Sequence, residues 1–261
     1  MGFLHFLALA ALASIPTGSL ARVTPGDYDN VGIDVSPNAR LPLEATITDS
    51  SGTQHRLRDI ISRPTVLVFA DYKCRILCGP VVSFVASALE QSGLRASDQF
   101  KLLVIGLDPN NVPADASDMR RSRIEAGSSL FDASQFVTAD QPTIRALTEA
   151  LGYRYLRDAE DRNYIHPAAA YVLTTNGKIS RVLTGLGLSG ADIRLALVEA
   201  SAGKIGTVQD RIRLLCSAFD PAHGTYNLVV WRLLKFSAAI TVIFVGGGIG
   251  LLFLAGRGRA A

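Results

Sequence analysis

The chain has 261 residues, of which 48% are apolar and only 19% charged, with a formal net charge of +3 and a mean hydropathy of +0.26. The missing charge is at the ends: residues 1–21 hold no Asp, Glu, Lys or Arg, and residues 236–261 hold only Arg257 and Arg259. Acidic and basic residues nearly balance between 22 and 235, which excludes a generic basic nucleic-acid binder and a disordered chain, and three cysteines are too few for a disulfide-built scaffold.

In chain order, an apolar run over 3–15 is followed by Pro16, Gly18 and then Ser19-Leu20-Ala21. Small residues at 19 and 21 fit a signal-peptidase site, so residues 1–21 read as a signal peptide cleaved before Arg22, with an uncleaved anchor as the alternative. Residues 22–42, rich in Pro, Gly, Asp and Asn, read as an extended N-terminal segment. A strand pair is expected at 44–48 and 54–57, with Ser50-Ser51-Gly52 as its turn. Thr65-Val-Leu-Val-Phe69 is a short apolar, β-branched run of the buried-strand type, and 101–105 is a second one. Between them, 81–91 has helical spacing and stops at Ser92-Gly93. Residues 112–135 are polar and read as helix and loop. A helix is expected over 143–151, a hairpin over 168–174 and 178–184 with an Asn176-Gly177 turn, and a closing helix over 191–202.

Strand, helix, strand, helix, hairpin, helix is the order of a thioredoxin-like α/β domain, assigned here to 43–203. Residues 204–230 then read as a juxtamembrane linker. Residues 231–255 read as one C-terminal transmembrane helix, because the uncharged stretch over 236–255 is long enough to cross ~30 Å of hydrocarbon. Residues 256–261 form a short tail. With an exported N-terminus, this order places the globular domain in the periplasm, a single span in the inner membrane and the tail in the cytoplasm.

The richest segment is Asp71-Tyr-Lys-Cys74-Arg-Ile-Leu-Cys78-Gly-Pro80, where a buried strand ends and a helix begins. Ligand sites on α/β sheets lie at that end of the strands. Cys74 and Cys78 are i and i+4, one helical turn apart, and a helix N-terminus favours thiolate over thiol. Two close thiolates can hold a soft metal or oxidise to a disulfide. His166 opens the segment before the 168–174 strand, and in a thioredoxin-like fold that loop faces the cysteine loop. His166 can thus complete a site of two sulfurs and one nitrogen, or be an ordinary loop histidine. His55 reads as a surface residue of the first hairpin.

These residues resemble the SCO/SenC copper chaperones, implicated in assembling the binuclear copper centre of cytochrome c oxidase. The resemblance runs from about Pro42 to Ala202. It is carried by Asp71-Tyr72-x-Cys74-x-x-x-Cys78-Gly-Pro80, Gly106-Leu-Asp108-Pro109, Asp140-Gln141-Pro-Thr-Ile-Arg145, Leu151-Gly-Tyr153, Tyr164-x-His166-Pro-Ala-Ala-x-Tyr171 and Gly177-Lys-Ile-Ser-Arg181. The chain is similar to the bacterial type with a C-terminal membrane helix. Many members have Cys-Pro where this chain has Cys78-Gly79-Pro80. The resemblance implies that Cys74, Cys78 and His166 bind copper, as Cu(I) or Cu(II), with Asp108 supporting the site. It also implies an upstream copper donor and, as acceptor, cytochrome c oxidase subunit II. Two thiolates and an imidazole suit soft Cu(I).

A rival reading is a periplasmic thiol–disulfide oxidoreductase using Cys74 and Cys78 as its redox pair, and a third is a copper or redox sensor. Gly185-Leu-Gly187-Leu-Ser-Gly190 matches a dinucleotide-binding fingerprint, with Asp210 about twenty residues on, but reads as a strand-to-helix turn. Cys216 lies close to the expected span, with His223 seven positions on; it reads as a spare juxtamembrane thiol, the alternative being a second metal site from that pair.

Overall fold

Two short runs of branched apolar residues, Thr65–Ala70 and Lys101–Gly106, lie side by side as parallel strands. The computed structural model describes residues 29–74, 78–157, 164–185 and 187–257. The expected signal peptide over 1–21 lies outside the described residues, as does most of the tail. In chain order the elements are β1 (Gly32–Ile33), β2 (Thr46–Asp49), β3 (Gln54–Arg56), α1 (Leu57–Ile60), β4 (Thr65–Ala70), α2 (Cys78–Gln91), β5 (Lys101–Gly106), α3 (Pro113–Arg123), α4 (Ser129–Ala133), β6 (Ser134–Thr138), α5 (Gln141–Ala150), β7 (Tyr153–Arg154), β8 (Leu156–Arg157), β9 (Tyr164–Ile165), β10 (Ala169–Leu173), β11 (Ile179–Thr184), α6 (Gly190–Ala200), α7 (Val208–Cys216), β12 (Ser217–Asp220), β13 (Thr225–Leu228) and α8 (Val230–Arg257).

Seven strands form one mixed sheet in the order β11-β10-β4-β5-β6-β2-β3. β4, β5 and β6 run parallel, and the pairs at both edges are antiparallel. β4, β5 and β10 are apolar almost throughout because both faces of the sheet are covered there. Val66, Val68, Leu102, Val104 and Val172 point into a core shared with α2, α3, α4 and α6. Their neighbours Leu67, Phe69, Leu103, Ile105 and Tyr171 point into a second core with α1 and α5. This alternation is the period of two of a strand.

Both expected hairpins form, and the crossover helix between β4 and β5 begins three residues earlier than its apolar spacing suggested. The polar stretch over 112–135 departs from expectation. It contributes helices α3 and α4 and the start of β6, which lies inside the sheet between β5 and β2. β6 carries only two large apolar residues, Phe136 and Val137. Its buried Ser134 is partnered instead, its hydroxyl accepting from Arg120 Nε at 3.2 Å and donating to the Phe131 carbonyl at 2.8 Å.

The segment over 204–230 is more than a linker. It holds α7 and the β12–β13 hairpin, which pair with the domain through specific contacts. Phe219 and Tyr226 pack on the α2/α6 core, and Tyr226 donates to Glu199 Oε2 at 2.7 Å. Arg194 of α6 grips Asp210 of α7 with two hydrogen bonds of 2.8 Å. Asp210 also accepts from the backbone N–H of Thr207, closing a capping box at the start of α7. The acid of the dinucleotide fingerprint is therefore engaged in joining two helices, and Ser189 of that fingerprint caps α6 by accepting from the Asp192 N–H.

Beyond the hairpin, α8 runs for 28 residues. Trp231, Leu234, Ile240, Ile243, Phe244 and Ile249 are among its exposed apolar side chains. Among the described residues no helix is long and apolar enough to cross a membrane. The transmembrane helix expected over 231–255 is thus not shown among the described residues; α8 lies there, with exposed apolar side chains between 231 and 249.

The Arg194 guanidinium, with the Thr207 hydrogen bonds, holds the Asp210 carboxyl well below its ordinary value. A depressed carboxyl stabilises the fold fully above its unfolded value near 4, and the gain is lost as pH falls through the lower folded value. Asp210→Asn is therefore expected to cost roughly 2–3 kcal/mol at neutral pH, because it leaves a largely buried guanidinium without its charge partner. Urea denaturation of the two proteins between pH 7 and pH 2 checks this: the curves should differ most at neutral pH and converge in acid.

Candidate functional site

The cysteine loop leaves the carboxyl end of β4. Asp71 starts it as a tight turn: its carbonyl accepts from the Cys74 N–H at 3.2 Å and its Oδ1 from the Lys73 N–H at 3.0 Å. Tyr72 points inward, its hydroxyl 2.8 Å from the carbonyls of both Val104 and Val137, so the loop is pinned across β5 and β6. Burial raises the Tyr72 phenol far above its ordinary value, so it is a neutral anchor. Lys73 reaches sideways to Asp115 at 3.2 Å, tying the loop to the start of α3. Cys74 is half-buried and packs against the α2/α6 core. Cys78 opens α2; its side chain, and residues 75–77, lie outside the described ones.

β5 runs parallel to β4, with Ala70 opposite Gly106. The chain leaving β5 therefore meets the cysteine loop at the same edge, and Leu107 donates to the Ala70 carbonyl at 2.9 Å. Asp108 follows. Its Oδ1 accepts from the Asn110 N–H and side-chain amide, both at 2.9 Å, which shapes the turn.

β10 runs antiparallel to β4, with Ala170 opposite Val68 and Tyr171 opposite Leu67. The segment before an antiparallel strand lies at the end where its partner finishes. Register thus carries His166 to the edge where the cysteine loop begins. Asp71 lies within electrostatic reach of both Asp108 and His166. Burial pushes the Asp71 carboxyl up and Asp108 adds to that push, whereas the Lys73 N–H, His166 and the Lys73 charge pull it down. Burial holds the His166 ring below its ordinary value, against the Pro167 carbonyl and the Asp71 carboxylate, which favour the charged form.

The tautomer of His166 follows from its partners. Tyr153 Oη lies 2.9 Å from the Pro167 carbonyl, which can only accept, so the phenolic proton goes there. The Tyr153 oxygen, 2.8 Å from His166 Nδ1, must then accept from Nδ1–H. The second neighbour of Nδ1, the Pro167 carbonyl at 3.2 Å, also accepts only. A neutral ring with its proton on Nδ1 carries its lone pair on Nε2, the form a metal-binding histidine takes when its other nitrogen is held by an outer partner.

Tyr153 and the buried Asp71 were landmarks of the sequence resemblance, but nothing in their spacing marked them as site residues. The signal was contextual: an acid that opens a strand-end loop, and a tyrosine between a glycine and a further strand. His55 lies away from this edge, in the first hairpin, with Nε2 2.8 Å from Asp49 Oδ2. Burial raises the Asp49 carboxyl, but hydrogen bonds from Ser51, His55 and Thr53 outweigh it and hold the group at about 2. His223 pairs with Asp220 at 2.7 Å on the far hairpin, and Cys216 is buried at the end of α7. Among the described residues no three His, Cys, Asp or Glu side chains converge as a metal site; the Cys78 sulfur is outside that set.

No family model and no curated protein matches the chain. Solved structures do. A protein described as a putative electron transfer protein from Aquifex aeolicus VF5 is 19% identical, with a TM-score of 0.58 over 65% of this chain and 96% of that one. Arabidopsis thaliana ScoI with copper bound is 11% identical, with a TM-score of 0.52 over 63% and 98%. BsSco, described as a member of the Sco family of cytochrome c oxidase assembly proteins with a disulfide switch, is 17% identical, with a TM-score of 0.53 over 65% and 99%. At these identities the likeness establishes the fold: the chain is built like the thioredoxin-like Sco structures.

Replacing Tyr153 with Phe removes the nearer acceptor of Nδ1–H and leaves the Pro167 carbonyl at 3.2 Å as the other. It should cost about 1 kcal/mol of stability and keep the proton on Nδ1. Nitrogen chemical shifts of the imidazole report the tautomer directly; a neutral ring protonated on Nε2 in the parent protein would contradict the assignment.

Proposed function

We propose that this chain is a membrane-anchored copper carrier of the Sco type, which binds one copper ion through Cys74, Cys78 and His166. The single observation that carries the reading is the meeting, at one edge of the sheet, of the cysteine loop, Asp108 and a His166 ring held neutral with its proton on Nδ1. That the Arabidopsis neighbour holds copper on this fold supports the metal, and the membership of BsSco in a family of cytochrome c oxidase assembly proteins supports the setting. The acceptor is then the binuclear copper site of oxidase subunit II, and an upstream donor supplies the ion.

The donor set suits the task. Two thiolates and one imidazole favour Cu(I) without closing a four-coordinate shell, so an acceptor ligand can enter before a carrier ligand leaves. The imidazole presents Nε2. Asp108 and Asp71 lend negative charge beside a cation. The exposed apolar side chains of α8 and the signal-peptide pattern at the N-terminus support a periplasmic domain held in the inner membrane, which raises its concentration near a membrane-bound acceptor.

The same two thiols permit a second reading, favoured by the disulfide switch in the description of BsSco: a thiol–disulfide oxidoreductase that prepares the acceptor's cysteines. The readings separate at His166, which metal binding requires and thiol exchange does not.

Anaerobic Cu(I) titration of the full chain in mild detergent, with a chromophoric chelator as competitor, tests the carrier. About one ion per chain is expected, abolished by Cys74→Ser or Cys78→Ser and weakened at least tenfold by His166→Ala. Affinity should fall in acid, as the thiolates and the imidazole take up protons. Binding unaffected by His166→Ala would remove the ligand assignment and favour the exchange reading.

A further inference from the structure

α7 turns one side to the domain and another to solvent. Val208, Ile212 and Leu215 fall at i, i+4 and i+7, within about 60° of one another around the helix axis, and they are 72%, 55% and 59% exposed. Asp210 lies on the opposite side, buried and gripped by Arg194. It is the only acid of the helix, so the charges left on the outer surface are those of Arg211 and Arg213. Arg211 flanks the apolar stripe, its Nη2 donating to the Gly203 carbonyl at 2.8 Å.

The stripe does not end with the helix. The β12–β13 hairpin folds the chain back, so that Ser217 faces Leu228 and Val229 N–H donates to the Cys216 carbonyl at 2.9 Å. The start of α8 is thereby fastened to the end of α7. Exposed Leu228, Trp231 and Leu234 follow on from Leu215, and Lys235 Nζ stands 5.3 Å from the centre of the Trp231 ring. A short helix that is apolar along one outer stripe and basic beside it, continuing into an aromatic ring next to a lysine, has the chemistry of a helix in the headgroup layer of a bilayer. With cations and no exposed acid, its outer surface complements anionic lipid: the long basic side chains reach the phosphates while the apolar ones sink below them.

We propose that α7 is an interfacial helix that lies flat on an anionic phospholipid surface through Val208, Ile212 and Leu215, with Arg211 and Arg213 on the headgroups. This rests on the membrane attachment proposed above and goes beyond it. α8 alone is a tether on which the domain swings, whereas a second contact fixes how the domain is turned. The hairpin sets the spacing. Its open end joins α7 and α8, and its turn reaches the Thr184 end of β11, where a Cβ on Gly224 would lie 2.4 Å from the Thr184 nitrogen. Thr184 pairs with Ala169 at the start of β10, the edge to which His166 belongs. Four-residue strands hold that edge on the order of 10 Å from α7, at ~3.4 Å per residue.

Trp231 is the single tryptophan of the chain, so tryptophan fluorescence tests the proposal. Full-length protein is reconstituted into vesicles of equal parts phosphatidylglycerol and phosphatidylcholine, the latter brominated near the top of its acyl chains as a quencher. With Ile212→Trp in a Trp231→Phe background, emission should be blue-shifted and quenched at least about twofold, as a side chain in the interface requires; Val208→Trp should give the same reading. Gln54→Trp in that background, on the opposite edge strand β3, should emit as in water and stay unquenched. Replacing the phosphatidylglycerol with unbrominated phosphatidylcholine, or adding Arg211→Gln and Arg213→Gln, should remove most of the quenching at 212. The parent protein reads the anchor separately, through Trp231. A tryptophan at 212 that remains in water would overturn the proposal; the anchor stands if Trp231 is quenched and falls with it if not. Quenching at 212 that is equal in neutral lipid and unchanged by the two glutamines would overturn it as well. Quenching at 212 without quenching at 231 would support the interfacial helix and remove the span.

Discussion

The pairing of β10 with β4 is the constraint on which the site depends. Val68 faces Ala170 and Leu67 faces Tyr171 in an antiparallel ladder. One strand therefore finishes where the other starts, and residues some ninety positions apart in sequence arrive at one edge. A one-residue slip would turn Tyr171 away from the core it shares with Phe69 and Tyr153 and expose apolar side chains on the wrong face. Burial thus fixes the register, and the register fixes where His166 stands relative to the cysteine loop. The chemistry of the edge is set by the packing of the sheet's interior.

The immediate surroundings refine that placement with uncharged contacts. Tyr72 anchors the loop from beneath through two backbone carbonyls, and Tyr153 holds one nitrogen of the histidine. Both tyrosines belong to the core as much as to the site: Tyr153 stacks against Phe69 with ring centroids 4.7 Å apart, and Tyr72 packs near Phe136. Stiff aromatic bodies with one polar end are suited to this. They carry the rigidity of the interior out to groups that must be held in a definite orientation, without adding charge beside the thiols. Charge enters separately, through Asp71, Asp108 and Lys73.

Much of the fold was legible in sequence because β4 and β5 are apolar on both faces, a pattern that demands cover on both sides, and because Asn176-Gly177 marks a tight turn. β6 escaped notice for a physical reason. Ser134 and Thr138 bury hydroxyls that are satisfied by Arg120, the Phe131 carbonyl and the Thr48 carbonyl, and such partners cannot be read from composition. The helix and hairpin over 208–228 were hidden likewise, because they are held to the domain by specific side-chain pairs such as Arg194–Asp210 and Tyr226–Glu199. At the site, the cysteine spacing and the histidine before a strand stood out as motifs. Tyr153 as the partner of His166 depends on how distant elements pack, and no local pattern announces it.

The central claim is that two sulfurs and one nitrogen from this edge share one copper ion. X-ray absorption at the copper edge of the Cu(I)-loaded chain reads the first shell directly. The account predicts two sulfur scatterers and one imidazole nitrogen, with the nitrogen alone lost in His166→Ala. A shell of sulfur only in the parent protein, or one of nitrogen and oxygen without sulfur, would contradict it.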